Sequence, residues 1–259
     1  MTPNLAAGEH ASLPGPLGQE EREALAEDVA LLVRLADREL DAETLARLRE
    51  RAPREWFALE LEGEDVESII GHVTAGLAEF SDPPTAAELD ELAAEFAAIH
   101  LNHGYGAAAT ESVWRDEDGL EKQDAMFLVR EWYARHGVKA ADWRLRSDDH
   151  LVNELQFLAL MLRGATNGAR LKETATFLRD HPLVWFPRFA DRIAKRCELQ
   201  FYAGVTLLSA VYLERLAAHL GVVTGLDMTP PKLIIEKPKA PAGPNCGSPR
   251  NTPLSGPSW

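Results

Sequence analysis

Across most of residues 19–228 apolar side chains recur every three or four positions, and no stretch alternates apolar and polar residues over strand length. That spacing admits amphipathic helices and leaves no βαβ rhythm. In residues 19–40, Leu25, Val29, Leu32 and Ala36 form one apolar stripe. Asp41 is a good N-cap for a second helix through Arg51, which Pro53 stops. Residues 55–61 and 64–80 read as two more helices. Thr85 and Glu88 then make a capping box that opens a helix ending near Gly104, with Leu89, Leu92, Phe96 and Ile99 on one face.

Residues 104–122 lose the helical period and carry Gly104, Gly106 and the turn-like segment 116–119. Helices resume at 123–136, closed by Gly137. Asp148 or Asp149 is the expected cap of the next, where Leu151, Leu155, Leu158 and Leu162 repeat. Helices at 169–180 and 184–195 follow, the second interrupted by Pro187, and 198–220 closes the series at Gly221. The expectation is an all-α protein, a single globular bundle of about ten helices. No repeat of solenoid length is visible.

Charge divides the chain. Residues 229–259 hold eight of the sixteen prolines, with Lys232, Lys237, Lys239 and Arg250 against Glu236 alone, a net of +3. Residues 1–228 then hold 23 basic and 40 acidic side chains, a net of −17. Three parts are expected: a flexible extension over 1–18, a helical body over 19–228, and a proline-rich basic tail over 229–259, extended or disordered. Within the tail only 233–237 is β-branched enough to dock as a strand. So acidic a body argues against nucleic-acid partners and against adhesion to anionic lipid. The longest apolar run, 201–211, contains Gly204, Thr206 and Ser209 and falls short of the roughly twenty residues of a span, so no membrane insertion is expected. The first 18 residues lack the pattern of a secretory signal, and two cysteines, Cys197 and Cys246, make no disulfide framework. The expected location is cytoplasmic.

Motifs for catalysis are missing. There is no phosphate loop, no dinucleotide fingerprint, no GxSxG and no HExxH. His100 with His103, and His150 with Glu154, could each place two ligands on one helix face, but no third ligand is indicated, so no metal and no cofactor is expected. Cys197 reads as structural. No catalytic residue is assigned, and the chain reads as a binding protein rather than an enzyme. Trp114 in a polar segment is wasteful unless it folds onto the core or lines a binding surface. His150 in a first helical turn is disfavoured when protonated, which a neighbouring Asp149 would offset.

Three segments carry a family likeness: 111–137 with Ser112, Val113 and Trp114; 148–162 with Asp149, His150, Glu154, Leu155 and Phe157; and 177–193 with Phe177, His181, Trp185, Pro187 and Phe189. In this order they resemble the TorD/DmsD/NarJ family of molybdoenzyme maturation chaperones, over roughly residues 20–225. Asp148 stands where many relatives have proline. The resemblance implies an all-helical chaperone. Its partner would be a molybdopterin oxidoreductase catalytic subunit, bound through the subunit's twin-arginine signal peptide and its body, held for cofactor insertion and kept from premature export. Carried over, the peptide-binding residues are Trp114, Asp149 and His150, with Tyr105 and Glu154 by proximity. The physics is compatible: paired guanidinium groups ahead of an apolar stretch call for carboxylates and an apolar groove, and Trp114 stands close to Asp116, Glu117 and Asp118. The resemblance also implies a monomer or a helix-swapped dimer, with 137–147 as hinge. Alternatives are a chaperone of a non-exported subunit, acting through a remnant N-terminal peptide, and a generic helical scaffold. A nucleotide-using enzyme would need a phosphate loop that this chain does not have.

Overall fold

The protein is described here by a computed structural model covering residues 17–141, 144 and 146–235. Among these residues it is all-helical, with ten α-helices: α1 (Gln19–Asp37), α2 (Ala42–Arg49), α3 (Glu64–Ala78), α4 (Ala86–His100), α5 (Glu111–Arg115), α6 (Asp124–Arg135), α7 (Leu151–Gly164), α8 (Gly168–Asp180), α9 (Pro182–Ala194) and α10 (Gln200–Thr224). The extension over 1–18 lies almost wholly outside the described residues, as does the tail beyond Ile235.

The core is built around α10, which packs on α3, α8 and α9, while α1 lies along α7. Among the described residues α10 is the one helix with the length and composition to cross a membrane. Most of its apolar stretch is buried inside this protein, with Phe201, Tyr202, Tyr212 and Leu213 essentially inaccessible. The crossing with α3 is close because two glycines face it. A Cβ on Gly76 would lie 2.5 Å from the Phe201 backbone nitrogen, and one on Gly204 would lie 2.9 Å from Val73 Cγ2.

Local chemistry sets the ends. The Asp41 carboxylate accepts the Thr44 amide at 2.8 Å, and Thr85 with Glu88 completes the capping box. Arg49 donates to the carbonyls of Leu77, in the last turn of α3, and of Phe80 and Ser81 just beyond it.

Four expectations need correction. Residues 55–61 are not an α-helix but the end of a 3₁₀ turn, Pro53–Trp56, followed by irregular chain that bends at Ala58 and Leu59. The buried Asp28 carboxylate takes the amides of Ala58 and Leu59 at 2.8 and 3.0 Å, so these donate across the core instead of back along the chain. Pro187 does not interrupt α9, which runs unbroken through it; burial of Val184, Trp185, Phe186 and Phe189 offsets the missing donor. α10 passes Gly221 and ends at Thr224, where Gly225 supplies the left-handed cap at φ 69°. The cap of α7 is neither Asp148 nor Asp149 but His150, whose Nδ1 accepts the Val152 amide at 3.2 Å.

Candidate functional site

The segment 104–122 is neither helical throughout nor loose. Thr110 and His150 form an isolated antiparallel bridge, with the Glu111 amide donating to the Asp149 carbonyl and the Leu151 amide to the Ala109 carbonyl, both at 2.9 Å. This clasp ties the entry of α5 to the entry of α7. Beneath it Asp149, fully buried, accepts the Ser112 amide at 2.7 Å and the Ser147 hydroxyl. Its side chain is thereby occupied, which is why it does not cap α7. Asp148 is likewise engaged, by Arg130 at 2.8 Å.

Below the clasp lies a set of ionisable groups that water does not reach. Glu111 accepts from Arg115 at 2.6 Å and is 2.9 Å from His181 Nδ1. Glu154 accepts the Trp185 indole N–H at 3.1 Å and lies within hydrogen-bonding reach of Glu111. Burial, and then the charges of Glu111 and Asp149, push the Glu154 carboxyl well above the usual carboxylate range. Among the described residues its buried Oε1 meets no hydrogen-bond donor. Asp149 is also raised by burial, opposed by the Ser112 and Ser147 hydrogen bonds. Glu111, Asp149, Glu154, His181 and Trp185 come from all three segments singled out in the sequence, and here they make one buried network.

His150 stands at the edge of this network and looks outward. Burial, then the positive charge of Arg146 and the neighbouring His100 and His103, lower its pKa to about 3. Nδ1 accepts at the helix start, so the ring proton sits on Nε2. With His100, Thr110, Arg146, Asn153 and Gln156 it lines a polar cleft of about 650 Å³. Asn153 and Gln156 also border an apolar depression between α6 and α7, walled by Tyr133, Val138, Ala140, Phe157 and Leu160. The two adjoin, sharing Ala141, Asn153 and Gln156 as lining. Leu160 is 47% exposed there, a large aliphatic side chain facing solvent.

The other two sequence-chosen residues lie elsewhere. Trp114 is 8% exposed, donates to the Ala108 carbonyl at 2.8 Å and meets Phe189 edge-on at 6.4 Å. What remains of its ring is covered by Arg192 at 4.4 Å. The neighbouring carboxylates do not form an acidic wall beside it: Asp116 turns inward to the amides of Asp118 and Leu120. The cleft that Trp114 lines carries Arg188, Arg192, Lys195 and Arg196 instead. Tyr105 donates to Glu95 at 2.8 Å, and Glu95 also accepts from the Cys197 thiol and the Glu198 amide. Cys197 is thus a structural thiol, its pKa raised by burial and by Glu95. Among the described residues no three His, Cys, Asp or Glu side chains are placed to hold a metal ion.

Sequence reasoning missed Glu111, Arg115 and Glu95 as organising residues. The signal available for the first pair was their i, i+4 spacing, which on a five-residue segment without apolar period reads as solvated charge.

The chain matches the family model of the nitrate reductase delta subunit over residues 65–191. The chaperone protein TorD of Vibrio cholerae serotype O1 is 25% identical over 186 residues, covering 69% of this chain and 83% of the relative. TorD of Vibrio vulnificus is 30% identical over 130 residues, covering 46% of this chain and 60% of the relative. TorD of Aliivibrio fischeri is 26% identical over 132 residues, covering 48% and 61%. With the three motif segments meeting in one network, these matches support a place for the chain in the NarJ/TorD family of molybdoenzyme maturation chaperones.

Proposed function

We propose that this protein is a cytoplasmic chaperone that binds the N-terminal signal peptide of a molybdopterin oxidoreductase catalytic subunit and holds the subunit until its cofactor is inserted. The relatives are named as chaperones and not as enzymes, in keeping with a binding protein. The observation that carries the reading is the trough along α6 and α7: apolar at Val138, Phe157 and Leu160, polar toward His150, and therefore suited to a peptide with a polar head and an apolar body. At its polar end Asp37 and Glu121 are the carboxylates for arginine side chains, Asp37 by exchange with its present partner Arg146 at 2.7 Å. The net charge of −17 over residues 1–228 favours encounter with a basic peptide. Of the five sequence-chosen residues, His150 lines the trough, Asp149 and Glu154 fix the start of α7 behind it, Trp114 holds 104–116 against α9 and Tyr105 ties it to α4.

Calorimetry with the signal peptide of a co-encoded molybdoenzyme tests this. Salt-sensitive binding is expected, and Leu160→Glu weakens it roughly tenfold, the cost of losing one aliphatic side chain from the contact. Binding that ignores Leu160→Glu removes the trough from the account; absence of any binding removes the signal peptide.

A further inference from the structure

The described part of the C-terminal tail does not leave the body. The Ile235 amide donates to the Arg115 carbonyl at 2.9 Å, and Arg115 Nε donates to the Leu233 carbonyl at 3.2 Å. The Arg115 carbonyl is one of those that the end of α5 leaves open, so the tail satisfies it as an added strand would. Leu233 packs against the hydrophobic core and lines the Trp114 cleft, a depression of about 410 Å³ between α5 and the last turns of α9. Residues 233–235 are thus seated as a short extended peptide, read through its main chain and one apolar side chain.

The charges around that seat do not suit the segment that sits in it. Arg192 donates to the Gly106 carbonyl and Arg196 to the Tyr105 carbonyl, which orients both guanidinium groups without neutralising them. Arg188 is exposed beside them. None of these three pairs with a carboxylate among the described residues, and the one acid lining the cleft, Asp191, is taken by Lys195 at 2.7 Å. In a chain of net charge −14 this is a concentrated positive face. The sequence around the seated segment is basic in turn, with Lys232 before it and Lys237 and Lys239 after Glu236.

We propose that the α5–α9 cleft is a docking site for an extended apolar peptide with acidic flanks, and that residues 233–235 occupy it as a weak internal stand-in. The main-chain bonds and the Leu233 position hold any extended apolar segment, while the three guanidinium groups favour one flanked by Asp or Glu over the Lys-flanked arm. A twin-arginine peptide is repelled here, so this site takes a different segment of a client protein. It stands independently of the signal-peptide reading, because it rests on a different face and on a ligand of opposite charge.

The test uses the full chain and two fluorescein-labelled peptides, EELIIEE and KKLIIKK, followed by fluorescence anisotropy. A Leu233→Gly/Ile235→Pro double variant removes the apolar anchor and the donor to Arg115, releasing the arm while leaving every α5 and α9 residue of the cleft in place; its melting curve verifies that the body is folded. The acidic peptide is expected to bind the variant roughly tenfold more tightly than the unchanged chain, which corresponds to an arm docked about 90% of the time. Arg188→Glu in the released background is expected to abolish most of that gain, and the basic peptide is expected not to bind. Equal affinity of the acidic peptide for both chains, no binding to either, or equal binding of the two peptides overturns the proposal.

Discussion

Arg115→Met is expected to destabilise the protein by about 3–5 kcal/mol, the cost of leaving a buried charge without its partner. Glu111 is completely inaccessible and Arg115 nearly so, and they meet at 2.6 Å. Methionine keeps the apolar length of the arginine stem but removes the charge that stabilises Glu111. It also removes the donors to the Asp180 and Leu233 carbonyls, loosening the end of α8 and the seat of the tail. Urea unfolding at pH 7 measures the loss. Adding Glu111→Gln should return a large part of it, because the stranded charge is then gone and an amide can still bond to His181 and Glu154. A loss below about 1 kcal/mol, the range of solvated surface pairs, would show that water reaches the site.

His150→Asn is expected to make the protein more acid-tolerant while leaving its stability near pH 7 almost unchanged. Asparagine is among the best N-caps, so the bond to the Val152 amide persists. The difference lies in titration. In the unfolded chain His150 takes up a proton near pH 6.5, whereas in the folded protein burial and Arg146 hold its pKa at about 3. A depressed base contributes stability above its unfolded pKa and loses it as the pH falls toward the folded one. At pH 5 the unfolded form therefore gains about 2 kcal/mol from this one group, and the variant escapes that penalty. His100, also lowered to about 3 by burial, remains in both proteins and cancels from the comparison. Parallel denaturation of the two proteins at pH 7 and pH 5 reads the effect. A difference that does not widen on acidification would place His150 in solvent.

Helical periodicity made the architecture legible because most helices bury one stripe of Leu, Val and Phe, and the capping residues Asp41, Thr85 and Gly137 mark ends by local chemistry alone. It failed where distant residues supply the partner. Asp28 captures the amides of Ala58 and Leu59 from thirty positions away, and no local pattern announces that. The same reason explains the reading of the motif segments. Trp114, Asp149 and Glu154 were recognisable as unusual, but a buried carboxylate and a binding carboxylate look alike in sequence. Only the packing shows Asp149 held by Ser112 and Ser147, Glu154 held by Trp185, and Trp114 capped by Arg192. The acidity expected beside Trp114 gave way to a basic cleft because α9 brings its last turns, rich in arginine and lysine, against α5. His150 is the one of the five that both carries a local cap and borders open space.

The α6–α7 trough as the seat of the signal peptide is tested most directly by amide hydrogen exchange of the full chain with and without a co-encoded twin-arginine peptide. The account predicts slowed exchange at residues 133–141 and 150–160, with 188–196 unaffected. Protection of 188–196 with 150–160 unchanged would contradict it.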